Sequence, residues 1–114
     1  MLLLCRAKWA KVGGTVYKID CMVVLGAEDD FPQFAYVEDI LVGNDSLVHF
    51  IVNVCDTRFF SNHFHAYVFV RTSVFSFVSQ GTLQDPVPLF ARKVSGLTRA
   101  GQRAVVMKHH YSSL

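Results

Sequence analysis

The stretch Gln33-Phe34-Ala35-Tyr36-Val37-Glu38-Asp39-Ile40-Leu41-Val42-Gly43-Asn44-Asp45-Ser46-Leu47-Val48-His49-Phe50-Ile51-Val52-Asn53-Val54-Cys55-Asp56 decides the fold. Two apolar runs flank Gly43-Asn44-Asp45-Ser46, residues that accept positive φ or bond to their own backbone in turns. In the second run Val48, Phe50, Val52 and Val54 share one face; Leu47, His49, Ile51, Asn53 and Cys55 share the other. A period of two marks strands, so residues 33–56 are expected as an antiparallel hairpin. Burying the even face fixes its register, because a one-residue slip would turn the Val and Phe side chains outward.

The same reading extends both ways. Upstream, Thr15 to Leu25 alternates and then turns continuously apolar, between Gly13-Gly14 and Gly26. Ala27-Glu28-Asp29-Asp30-Phe31-Pro32 is expected as a loop, since Pro32 lacks an N–H for a ladder. Downstream, Arg58 to Asn62 reads as a short connection. Phe64 to Val70 then reads as a strand with Phe64, Ala66, Val68 and Val70 on one face and His63, His65, Tyr67, Phe69 and Arg71 on the other. Val74 to Val78 is a further short strand, Gln80 to Pro88 a loop, Val87 to Lys93 a brief pairing, and Arg103 to Tyr111 the last strand. The expectation is an all-β chain of six or seven short strands with little or no helix, closed into a small antiparallel β-barrel. Closure removes edges that a Val- and Phe-rich open sheet would expose to association. By this reading residues 1–14 are an N-terminal junction or flexible segment, 15–111 a single β domain and 112–114 a tail.

Composition agrees. The 114 residues are 52% hydrophobic and 18% charged, against roughly 45–50% and about 25% in ordinary domains, so disorder is excluded and core material is in surplus. Both faces of several strands are apolar, and one interior cannot hide two such faces; the surplus points to self-association or a missing partner. No apolar run approaches the roughly 18 residues that a spanning helix needs. Arg6, Lys8 and Lys11 interrupt the apolar start, so no signal peptide is expected and the chain is read as intracellular. Cys5, Cys21 and Cys55 form neither a disulfide framework nor a CxxC pair.

The net charge of +2 conceals two unlike halves. Residues 1–57 carry four basic and eight acidic side chains; residues 58–114 carry seven basic ones and a single acid, Asp85. Arg92, Lys93, Arg99, Arg103 and Lys108 are therefore the candidate nucleic-acid-binding residues, with two solvated faces as the competing reading. Glu28, Asp29 and Asp30, together with Phe34, Tyr36, Phe59 and Phe60, are a candidate aromatic and acidic pocket for a cationic ligand, against which core packing competes. His63 and His65, two apart in an expected strand, could meet His49 as a three-nitrogen metal site; an aromatic face is the alternative role. There is no GxSxG, no phosphate-binding GxxxxGK[ST] and no motif around a cysteine. No cofactor and no catalytic residue are expected.

The run Tyr17-Lys18-Ile19-Asp20-Cys21-Met22-Val23-Val24-Leu25, then Phe34-Ala35-Tyr36-Val37-Glu38-Asp39-Ile40 and Val48 to Val54, resembles the opening of bromo-adjacent homology (BAH) domains, small barrels of chromatin proteins. The resemblance covers residues 15–71. It departs where Asp20 precedes Cys21 instead of standing in a Gly-Asp pair, and where Phe50 or Val52 stands near the expected tryptophan. Asn62-His63-Phe64-His65-Ala66-Tyr67 and Val105-Val106-Met107-Lys108-His109-His110 are similar to the C-terminal part of vertebrate proteins derived from mobile elements. These likenesses imply an SH3-like or BAH-like module, intracellular and nuclear, within a longer protein. The functional expectation is a non-enzymatic module binding a protein segment or nucleic acid. A metal-dependent or nucleic-acid-processing enzyme fragment and a self-associating structural fragment are the alternatives.

Overall fold

The computed structural model describes residues 3–92 and 101–106. Nine strands follow in chain order: β1 Leu4–Ala7, β2 Trp9–Val12, β3 Thr15–Lys18, β4 Met22–Glu28, β5 Phe31–Gly43, β6 Val48–Ser61, β7 Ala66–Ser79, β8 Asp85–Leu89 and β9 Arg103–Val105. The one helical element among the described residues is a 3-10 turn, Gln80–Thr82. No helix among the described residues is long and apolar enough to cross a membrane.

The main sheet is antiparallel in the order β8-β4-β5-β6-β7-β9, with β1 also paired to β5; β2 and β3 form a separate hairpin. The sheet curls into a half-barrel, and a bridge between Arg92 and Ala104 brings the segment after β8 against β9. The curl follows from bulges. Register shifts fall between Val24 and Gly26, Val37 and Asp39, Asn53 and Cys55, and Thr57 and Phe59, and each extra residue bends its strand and increases its twist.

The deciding hairpin is present as read, with Val42 opposite Val48 and Ile40 opposite Phe50. Its turn is closed by the Gly43 N–H on the Leu47 carbonyl at 2.9 Å and the Asp45 carboxylate accepting from the Leu47 N–H at 3.0 Å; Ser46 takes φ 67°. Other boundaries differ from the sequence reading. Phe59, Phe60 and Ser61 continue β6 instead of forming a connection, and Phe64 to Val78 is not two short strands but largely one, β7, of 14 residues. The run from Thr15 to Leu25 breaks at Asp20, where φ is 72° and the Cys21 N–H bonds back to the Lys18 carbonyl at 3.1 Å. Leu4–Ala7 and Trp9–Val12, read as junction, are strands β1 and β2.

Those strands solve the two-face problem. Along β4 and β5 the side chains alternate between two cores. Val23, Ala35 and Val37 join Ile40, Phe50 and Val52 in the first, beneath Ala10 and Tyr17 of the β2–β3 hairpin. Met22, Val24, Phe34 and Tyr36 join Cys55, Phe69, Leu89 and Val105 in the second, inside the curl. Tyr17 ties the hairpin to the sheet: its hydroxyl donates to the Pro86 carbonyl and accepts from Gln80 Nε2 at 3.1 Å.

Candidate interaction surface

The second core ends abruptly along the sheet face that it occupies. At the covered end, β9 pairs with β7 through Tyr67, Val68 and Phe69, and Phe69 and Val105 are fully buried. Beyond Phe69, β7 keeps β6 on one side from Arg71 to Ser79 and has no ladder partner on the other among the described residues. Here Val74, Phe75 and Phe77 are 57%, 59% and 53% exposed. From Thr72 to Ser79 the strand contains no charge, Pro or Gly, none of the devices with which natural edge strands discourage pairing.

This edge is tied to β6 by side-chain hydrogen bonds. Asn53, buried, donates from Nδ2 to the Thr72 and Val74 carbonyls at 2.8 and 3.1 Å, and the Thr72 hydroxyl donates to the Val54 carbonyl at 2.7 Å. Phe77 stacks on His49 at 5.2 Å between ring centroids. His49 is itself buried, with Nδ1 3.0 Å from the Ser79 hydroxyl and Nε2 without a partner among the described residues.

A polar boundary separates covered from open face. The Arg71 guanidinium lies 3.8 Å over the Tyr36 ring and reaches Glu38 at 3.1 Å and the Asn53 side-chain oxygen at 3.2 Å. Glu38 is the extra residue of the β5 bulge, and that extra residue is how an acid reaches Arg71 from a strand otherwise turned to the core. Tyr36, Phe69, Val70, Arg71, Gly101 and Arg103 line a cleft of about 460 Å³. Burial pushes the Tyr36 phenol above its ordinary value, while Arg71 and Arg103 both pull it down. Arg103 donates to the Gln102 carbonyl at 2.9 Å and has no carboxylate partner among the described residues.

Of the five basic candidates, Arg92 pairs with Ala104, the neighbour of Arg103 in β9, so the two arginines leave opposite faces of the ladder; Lys93, Arg99 and Lys108 lie outside the described residues. The aromatic and acidic group does not assemble as one pocket. Glu28 and Asp29 line a cavity of about 190 Å³ with Phe31, Cys55, Asp56 and Thr57, where β5 and β6 part beyond Ala35 and Val54. Asp30 is exposed at the adjoining turn with φ 67°. Phe34 and Tyr36 alternate into the second core. Phe59 is exposed, and Phe60 packs edge-on against Tyr67 at 5.0 Å.

The three histidines do not converge. His49 pairs with Ser79 at one end of β6, whereas His63 and His65 lie in the turn beyond its other end, His65 with φ 50°. A strand was needed to put both on one face, and the chain turns there. No group of three or more His, Cys, Asp or Glu side chains suited to a metal occurs among the described residues. The cysteines are free: Cys5 is exposed, while burial raises the Cys21 thiol and pushes Cys55 up to about 11. Arg71 escaped the sequence reading; the available signal was a lone cation among Val and Phe residues in a strand expected to share a sheet with Glu38.

No family model, curated protein or solved structure matches the chain.

Proposed function

We propose that this chain is a non-enzymatic interaction module that takes up an extended protein segment as an added strand on the free edge of β7. The observation that carries this is the edge from Arg71 to Ser79, unpaired among the described residues and lined by exposed Val74, Phe75 and Phe77. Main-chain hydrogen bonds supply affinity in such additions, and alternate side chains read the surface beneath. A bound strand would cover Phe75 and Phe77 and continue the half-barrel. A protein segment fits this neutral, apolar edge better than nucleic acid, whose backbone calls for a basic track. The likeness of residues 15–71 to chromatin modules is the argument for a nuclear setting.

The test uses an acetylated octapeptide of alternating Thr and Val titrated onto the protein, with backbone amide exchange as readout. Binding that protects β7 beyond Arg71 is expected, weakened at least tenfold by Phe75→Lys. No binding, or protection elsewhere, contradicts the proposal. Concentration-dependent dimerisation with the same protection would identify a second copy as the strand donor.

A further inference from the structure

We infer that the segment taken up on β7 runs antiparallel to it and ends there, its C-terminal carboxylate held in the Arg71–Arg103 cleft. This rests on the strand-addition reading and adds direction, a stopping point and a chemical end group. The stopping point is topological. From Phe69 back to Tyr67 the edge is already occupied by β9, so a strand laid along Ser79 to Arg71 meets the start of β9 and cannot continue in line. A chain that ends at that point needs no turn to leave.

Charge sets direction. An antiparallel strand travels from Ser79 toward Arg71, so its C-terminus arrives where Arg71, Gly101 and Arg103 line the cleft. A parallel strand would bring an ammonium group to the same two guanidiniums. Of the two cations, Arg71 is shared with Glu38, while Arg103 has no carboxylate among the described residues. A guanidinium receives a carboxylate through two parallel N–H donors. Among the described residues nothing lies within 4 Å of a Cβ added at Gly101, whose φ is 83°.

The experiment compares the acetylated Thr/Val octapeptide carrying a free C-terminal carboxylate, the same peptide as a carboxamide, and a carboxamide ending in Glu. The free acid is expected to bind at least tenfold more tightly than the plain amide, with the advantage shrinking as salt rises. In Arg103→Gln the acid should bind no more tightly than the amide binds that same variant; Arg103→Lys should restore part of the gap. Thermal unfolding of each variant checks that the fold persists. Equal binding of acid and amide would overturn the carboxylate assignment while leaving strand addition standing. A Glu-ended amide that matches the acid would overturn the terminal assignment, and no binding of any peptide would overturn both.

Discussion

One sheet face of this protein is finished at one end and unfinished at the other. At the finished end Tyr36 lies beneath Arg71, Phe69 pairs with β9, and both share a buried core with Val105. At the other end Ile51, Phe75 and Phe77 occupy the same face, and no described residue covers Phe75 and Phe77, which are more than half exposed. The residue types are alike, so hydrophobicity does not distinguish the two ends. What differs is one short strand, β9, which completes the edge of β7 for three residues and stops. The comparison separates apolar residues that hold the fold from apolar residues available to a partner.

The largest expected contrast is energetic. Phe69→Ala, or Phe50→Ala in the first core, should cost about 3–5 kcal/mol because each empties a closed site; Phe75→Ala should stay within about 0.5 kcal/mol, as surface changes do. Urea unfolding of the variants checks this, and a Phe75→Ala cost equal to that of Phe69→Ala would show the open end to be core.

A smaller effect is expected at alkaline pH. Cys55, buried in the finished end, keeps its proton up to about pH 11 in the folded state, above its ordinary value of 9.0. Its folded pKa is raised, so this contribution to stability is full below pH 9 and is lost as pH rises through 11. At 1.36 kcal/mol per unit the change is roughly 2–3 kcal/mol. The stability difference between the parent and Cys55→Val should shift by that amount between pH 8 and 11, in favour of the valine variant; a pH-independent difference would contradict the assignment. Below this in size stands Tyr17→Phe, which leaves the Pro86 carbonyl and Gln80 without that partner and should cost about 1–2 kcal/mol, measured by the same unfolding curves.

The smallest stability effect is the most informative about the open end. Phe75→Lys should change unfolding free energy by no more than about 0.5 kcal/mol and yet abolish any self-association at high concentration, because it puts a charge on a neutral edge. Sedimentation over a concentration series reads this directly. Association that persists in the variant would place the contact elsewhere.

The finished parts were the legible ones. Alternation around Gly43-Asn44-Asp45-Ser46 marked the β5–β6 hairpin because period and turn chemistry agree there, and an all-β barrel-like chain followed. The break at Asp20 was not legible, since an aspartate at positive φ is set by its tertiary setting. β1 and β2 were missed because four-residue strands carrying Arg6, Lys8 and Lys11 have too little pattern. The surplus of apolar residues was visible, but not its division into one core under the β2–β3 hairpin, a second inside the curl and an open face on β7. That division depends on bulges, and the bulge at Glu38 also delivers the acid to Arg71. Of the candidate site residues, Arg103 reaches the cleft for a reason that charge counting did not contain: β9 stops beside it.

Amide exchange along β7, with the protein alone and saturated with the free-acid octapeptide, tests the central claim most directly. Val68 and Phe69 are expected to be protected in both states, while amides between Arg71 and Ser79 that face away from β6 exchange quickly alone and slow markedly with peptide. Edge amides already as slow as those of Val68 and Phe69 in the free protein, at every concentration, would contradict it.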